Sequence, residues 1–236
     1  TFVDRHRFTG TTTQSPSKIV GDGELSWDLA KFRSKEMLLK PRKATASKSS
    51  LDIYTLDTSK MAFSTDNITA DLDFKTRIGK FNTNDVGQLT YFPFNSYQTN
   101  LSNYVWKMND KTIAATIGPS MGGVTPDWMS INNEQDSLNF IGKKGLYDMK
   151  DYTLKVSEIP YIDIADSRLY TKDGIAMIRE NANMDTLNSC KWVANRIDSF
   201  HTITESVVKV LGKYQVWSQG KVNYVTRTGK KQEVFL

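Results

Sequence analysis

Alternation of apolar and polar residues with a period of two recurs from one end of this chain to the other, and helical periodicity is nearly absent. A period of two puts successive side chains on opposite faces of a strand, so each such run needs a neighbouring layer to bury its apolar face. The cleanest run is Ile68-Thr69-Ala70-Asp71-Leu72-Asp73-Phe74-Lys75. Here Ile68, Ala70, Leu72 and Phe74 are expected inward. Tyr152, Leu154 and Val156, then Ile162 and Ile164, then Ile175 and Met177, continue the pattern. Val208 and Val210, Tyr214 and Val216, and Val222 and Tyr224 close it, and β-branched and aromatic residues dominate throughout. Turn signals lie between the runs at Asp22-Gly23, Ile78-Gly79, Lys144-Gly145, Asp173-Gly174, Gln219-Gly220 and Thr228-Gly229. Short strands joined by tight reversals are implied.

An aromatic, one residue, then Leu or Met recurs at Trp27-Asp28-Leu29, Trp106-Lys107-Met108 and Tyr147-Asp148-Met149, at spacings of 79 and 41 residues. A unit of about 40 residues fits these spacings. Units of this kind bury their apolar faces only by stacking on one another. The expected fold is therefore all-β: an elongated, antiparallel, solenoid-like open jelly roll built from strand repeats. The expected organisation is N-terminal repeats over 1–117, a loop excursion over 118–135 that includes the proline- and glycine-rich run from Gly118 to Pro126, and C-terminal repeats over 136–236. A second break is expected at Lys40-Pro41-Arg42-Lys43, because Pro41 lacks the donor that a central strand uses.

Composition narrows the chemistry. The hydrophobic fraction is 39%, consistent with strands that expose one face to water. No apolar run approaches the roughly 18 residues of a membrane-spanning helix. Thr1-Phe2-Val3-Asp4-Arg5-His6 is neither a signal peptide nor an initiating methionine, and reads as the interior of a longer polypeptide. The single cysteine, Cys190, excludes an internal disulfide and reads as a half-buried small hydrophobe. With only His6 and His201, neither a histidine metal site nor a Ser-His-Asp relay has enough candidates. Asp148, Asp163 and Asp166 are the carboxylates one would nominate for glycoside cleavage, but aspartate is an ordinary turn residue. Met121-Gly122-Gly123 lacks the Gly-Lys-Ser/Thr of a phosphate loop. No catalytic residue, metal or cofactor is expected.

Two segments are candidates for contacts. The net charge of +5 is concentrated between Lys31 and Lys48, where Lys40, Arg42 and Lys43 are candidate contacts for anionic lipid or lipopolysaccharide, with a solvated sheet face as the plainer reading. The run Tyr91-Phe92-Pro93-Phe94-Asn95-Ser96-Tyr97 through Trp106 is the most aromatic part of the chain. Its Tyr91, Phe92, Phe94, Tyr97 and Trp106 are candidate contacts for sugars or acyl chains, with core packing as the competing reading. Trp106 and Trp128 are the rings on which a carbohydrate-binding reading rests.

The segments Leu39-Lys40-Pro41-Arg42-Lys43-Ala44, Phe81-Asn82-Thr83-Asn84, Tyr91 to Tyr97, Trp106-Lys107-Met108, Asp136 to Phe140 and Tyr161 to Tyr170 resemble very large envelope proteins of Gram-negative bacteria. More distantly, the short alternating strands and Tyr147-Asp148 look like the OstA-type β-jellyroll of lipopolysaccharide-transport proteins. That resemblance implies an envelope location, in the periplasm or at the outer membrane. It also implies an open jelly roll whose interior shields acyl chains while its edges join neighbouring β repeats of the same parent chain. The longer units, the Gly118–Pro126 excursion and the five tryptophans depart from that pattern and leave open a structural spacer or protein-interaction scaffold contacting other envelope proteins. Nucleic acid is not an expected partner.

Overall fold

A computed structural model of the chain describes residues 6–56, 59–119, 123–197, 201–225 and 228–235. These residues form antiparallel strands joined by turns and short 3-10 segments, with no α-helix among them. Six long strands come first: β1 (Arg7–Ser15), β2 (Lys18–Trp27), β3 (Ala30–Lys40), β4 (Lys43–Tyr54), β5 (Met61–Asp73) and β6 (Ile78–Thr83). Shorter strands follow: β7 (Thr90–Phe92), β8 (Tyr97–Thr99), β9 (Asn103–Lys107), β10 (Thr112–Thr116), β11 (Asp127–Ser130), β12 (Asn139–Ile141), β13 (Lys144–Asp148) and β14 (Thr153–Ser157). The remainder are β15 (Ile162–Ile164), β16 (Ser167–Tyr170), β17 (Ile175–Ile178), β18 (Leu187–Ala194), β19 (His201–Val210), β20 (Val216–Val225) and β21 (Lys231–Phe235).

The main sheet runs β1-β2-β3-β4-β5-β6-β9-β10-β13-β14-β17 and does not close on itself. It forks at β5. Ile68 to Asp73 pair with β6, whereas Ser64 and Thr65 pair with β7 and so lead into the side branch β7-β8-β11-β12. Asn67, with φ of 44°, marks the change of direction. The side branch folds over the main sheet, because Phe92 on β7 meets Tyr147 on β13 at 5.3 Å between ring centroids. Phe63, Phe81, Phe92, Tyr97, Tyr104, Trp128 and Tyr147 fill the space between the two layers and are each 0–1% exposed. Burying a side chain of this size contributes about 1.5–3 kcal/mol.

The main sheet also rolls. Five inter-strand steps separate β2 from β9, about 24 Å in a flat sheet, yet the Trp27 and Trp106 rings lie 5.7 Å apart. Trp27 also meets Phe74 at 5.1 Å, and Asp28 accepts a bond from Arg77 at 2.7 Å. Side chains thus bridge the roll at one end. The second sheet, β15-β16-β18-β19-β20-β21, joins the same apolar core through Ile162, Ile164, Leu169, Cys190 and Val208.

The all-β, antiparallel expectation holds, as does the inward phase of Ile68, Ala70 and Leu72, of Leu154 and Val156, and of Ile162 and Ile164. Cys190 is 1% exposed, and burial pushes its thiol up. Several local expectations need correction. At β17 the phase is reversed: Ala176 and Ile178 are buried and Ile175 and Met177 only half-buried, because the run is short and apolar on both faces. Tyr214 lies outside a strand and is 62% exposed, and Tyr152 is a left-handed turn residue. Pro41 does not break the sheet. It opens the β3–β4 hairpin turn, with Arg42 in the left-handed region at φ 82°. Within the stretch read as a loop, Asp127–Ser130 form β11, and Trp128 is fully buried. The chain passes to the second sheet after Ser157 and returns to the first for β17.

Most of the glycines expected at reversals lie inside strands, where a neighbour occupies the space a Cβ would need. A Cβ at Gly145 would meet the Trp128 ring at 2.6 Å, and one at Gly220 would meet Ile203 at 2.7 Å. Trp128 lies over Gly142 and Gly145 and donates its indole N–H to Gly142 O at 3.0 Å. Gly145→Val is therefore expected to destabilise the fold by about 1–3 kcal/mol through overpacking. Phe63→Ala, at the fork, is expected to cost about 3–5 kcal/mol. Urea unfolding followed by tryptophan emission measures both, and a Gly145→Val midpoint equal to the wild type would refute the packing role assigned to Trp128.

Candidate functional site

The eight candidate contact residues do not gather in one place. Phe92 and Tyr97 are 1% and 0% exposed and belong to the aromatic layer between the sheet branches. Burial alone pushes the Tyr97 phenol up. Tyr91 is the one ring of this segment that faces outward on β7, at 37% exposure. Phe94 sits in the 3-10 turn Pro93–Asn95, packed on Tyr152 at 4.9 Å. Asn95 clamps that turn, donating to Tyr152 O at 2.8 Å and Ile178 O at 3.0 Å. Trp106 and Trp128 are 3% and 0% exposed, so neither ring can lie against a sugar, and the carbohydrate-binding reading built on them is corrected.

The basic segment is divided by strand register. Lys40 and Arg42 are exposed at the tip of the β3–β4 hairpin, while Lys43 pairs with Asp71 at 2.7 Å. Arg33 bonds Asp52 at 2.6 Å and Glu24 at 2.8 Å, and the Asp52 bond is the main reason its guanidinium is held above its ordinary range. Lys31 lies over the Tyr54 ring at 5.3 Å. Carboxylates on β2, β4 and β5 thus neutralise Arg33 and Lys43, while Lys35, Lys40, Arg42 and Lys48 are exposed, which makes the segment a solvated sheet face.

A concave site does form at the rolled end of the main sheet, where a cavity of about 310 Å³ opens. Asp28 and Leu29 reach it from the β2–β3 turn, and Ile53, Tyr54 and Leu56 from the end of β4. Arg77 reaches it from the β5–β6 turn, Trp106, Met108 and Lys111 from β9 and its turn, and Met149 and Tyr152 from the β13–β14 turn. These turns are fixed to one another: Met108 N–H donates to Arg77 O at 3.0 Å, and Met149 N–H donates to Lys111 O at 2.8 Å. Arg77, Lys111 and Tyr152 all carry positive φ, between 55° and 59°, at the last position of four-residue turns. Asp73 and Asp148 each accept a backbone N–H from the turn that follows them, at 2.8 and 2.9 Å. Leu56 N–H donates to Tyr152 Oη at 2.6 Å.

The cavity floor is apolar, made by Leu29, Ile53, Trp106, Met108 and Met149. The indole N–H of Trp106 is buried behind this floor and has no hydrogen-bond acceptor. The Trp27 indole N–H behind it is in the same state. Mouths of rolled and closed sheets are common places for small-molecule sites. Of the eight residues singled out in the sequence, only Trp106 belongs here. The other lining residues come from five turns and strand ends, and the one signal in the sequence was the recurring aromatic-x-aliphatic triplet, whose three copies mark this end of the sheet.

The carboxylates nominated for catalysis are engaged elsewhere. Arg168 holds Asp163 through two bonds of 2.7 and 3.0 Å, and Arg196 adds a third of 2.7 Å. Asp148 serves the turn described above, and Ser167 Oγ donates to Asp166 at 3.2 Å. No group of three His, Cys, Asp or Glu side chains suited to a metal ion occurs among the described residues. His6 packs edge-on against Phe74 at 4.4 Å, and the His201 side chain lies outside the described residues, as do the side chain of Tyr224 and the segment Met121-Gly122. No family model matches the chain, and no curated protein or solved structure matches it.

The Asp163 cluster makes stability depend on pH. Partial burial disfavours the carboxylate, but Arg168 and Arg196 outweigh it and hold its pKa below the ordinary value. A lowered folded pKa gives stability that is present at neutral pH and is lost as pH falls below about 4. Asp163→Asn is expected to cost about 1–3 kcal/mol at pH 7, the scale of bonds to a charged group. The gap to the wild type should narrow under acid. Urea midpoints of both proteins across the acid range measure this, and a gap independent of pH would contradict it.

Proposed function

We propose that the chain is a non-catalytic β module of a bacterial cell-envelope protein, acting as a structural spacer and protein-interaction scaffold. The carrying observation is the outer edge of the main sheet. β1 has nine residues, and β2 is its one sheet neighbour among the described residues. After Arg7 it is Phe8-Thr9-Gly10-Thr11-Thr12-Thr13-Gln14-Ser15, with no charge and no proline. Edges are ordinarily blunted by lysine, proline or shortness. The other edges follow that habit: β12 and β15 have three residues, β17 has four, and β21 carries the exposed Glu233. An unprotected row of backbone donors and acceptors suits the addition of a strand from a neighbouring polypeptide. Neighbouring β repeats of the same parent chain are the natural partners on this reading. The matching turns at 74–77, 108–111 and 149–152 support a repeated hairpin unit.

The sequence resemblance to lipopolysaccharide-transport domains favours a second role, sheltering acyl chains between sheets. A lipid trough would have to lie where Phe63, Phe92, Trp128 and Tyr147 now pack, which weighs toward the spacer reading. Edge pairing predicts concentration-dependent association of the isolated chain. Thr11→Lys/Thr13→Lys should abolish it without changing the melting temperature, since side chains of this strand are exposed. Sedimentation velocity across a concentration series, with lipid extraction of the same sample, is the measurement. A chain that stays monomeric at all concentrations and carries stoichiometric lipid would overturn the proposal in favour of lipid carriage.

A further inference from the structure

We infer that the adjoining tips of the β1–β2 and β3–β4 hairpins form a docking surface for a bilayer rich in anionic phospholipid. Strand register brings the two tips together. Ile19 on β2 faces Leu39 on β3, which places Lys18 beside Lys40, and Lys40 in turn faces Lys43 on β4. Directly opposed residues share a face of a sheet, so Lys18, Lys40 and Lys43 stand in a row across neighbouring strands. Asp73 on β5 faces Lys43 and ends the row. The β5–β6 turn brings Lys75 to the same tip, because Phe74 N–H donates to Arg42 O at 2.9 Å.

The cations Lys18, Lys40, Arg42, Lys43 and Lys75 thus outnumber the carboxylates Asp71 and Asp73. Asp71 pairs with Lys43 at 2.7 Å, and Asp73 accepts the backbone N–H groups of Lys75 and Thr76 at 2.8 and 3.0 Å. Lys18, Lys40, Arg42 and Lys75 are exposed and have no ion pair among the described residues. Like charges set directly opposite one another destabilise a sheet. Lysine commonly guards an open edge, but this row lies on β2, β3 and β4, inside the sheet, while the edge strand β1 carries no lysine. Edge protection therefore does not account for it. The other face of the same strand ends is apolar: Ile19 is 41% exposed, with Leu39 half-buried opposite it. A soluble polyanion would engage the cations and leave Ile19 in water. A bilayer interface takes both, with cations against lipid phosphates and the apolar side chain at the acyl boundary. This surface is separate from the β1 edge, so the scaffold reading stands or falls independently of it.

The test is flotation of the full chain with vesicles of phosphatidylcholine, alone or mixed with phosphatidylglycerol. Partitioning onto the anionic vesicles is expected to be at least about tenfold stronger and to fall as salt is raised. At about fivefold per cation, Lys18→Gln/Lys40→Gln/Arg42→Gln should weaken it about a hundredfold. Removing exposed lysines elsewhere, in Lys143→Gln/Lys150→Gln/Lys209→Gln, should change it by less than about threefold. Ile19→Ser should weaken vesicle binding and leave binding of soluble inorganic polyphosphate unchanged. Thermal melting confirms that each variant is folded. Equal partitioning onto the two kinds of vesicle, or equal losses in the two triple variants, would overturn the assignment. So would vesicle binding that a folded Ile19→Ser leaves unchanged, which would give the tip to a soluble polyanion instead.

Discussion

The backbone of β5 has to satisfy three neighbours with two edges, and the shape of the protein follows from how it does so. One edge pairs with β4 over most of its length. The other is shared, with Ile68 to Asp73 given to β6 and Ser64 and Thr65 to β7. The two partners take separate stretches of that edge, and the strand bends between them so that they diverge. The left-handed Asn67 marks the point of divergence. Once the branches part, their facing surfaces have to be covered. Phe63 on the shared strand touches Phe81 on one branch and Phe92 on the other, at 5.7 and 5.4 Å. The aromatic layer is thus the apolar counterpart of a hydrogen-bonding constraint.

Rolling the remainder of the main sheet solves the problem of its open inner face by a different route. Instead of completing a ladder from β2 to β9, the molecule closes the gap with the Trp27–Trp106 and Trp27–Phe74 contacts and the Asp28–Arg77 ion pair. Rings and guanidinium groups reach farther than backbone hydrogen bonds. Closure by side chains tolerates a wider gap, and it leaves space between the turns where the rings do not reach.

The strands were legible because alternation is local: Ile68, Ala70 and Leu72 announce their inward face without knowledge of what covers it. The glycines were not legible, because their cause is remote. Gly145 is set by Trp128 and Gly23 by Gly10, whose backbone would lie 2.8 Å from an added Cβ. Neither neighbour is visible from the local sequence, so both residues read as turn formers. Conversely, the reversals at Arg77, Lys111 and Tyr152 use residues that bear a Cβ in the left-handed region, which local propensity argues against. The aromatic cluster from Tyr91 to Trp106 shows the same limit. Composition marks it as important, but only the fork at β5 decides that Phe92 and Tyr97 turn inward while Tyr91 turns out. The cavity was least legible of all, since its lining is drawn from five turns and strand ends.

An open roll has two kinds of unfinished business, and both candidate sites are instances of it. A sheet that closed by a ladder would have no outer edge at β1 and no mouth bridged only by side chains. The absence of charge along β1 and the unpartnered indole of Trp106 are each unfavourable in an isolated domain: one invites aggregation and the other forfeits a hydrogen bond. They lie in different places, and only the edge is open to a partner, a strand from a neighbouring polypeptide. Folding alone does not explain the bare edge, because the side chains of β1 are mostly exposed and a lysine there would preserve the packing that the structure requires. Features that cost stability and are not needed for packing are where function is most economically sought.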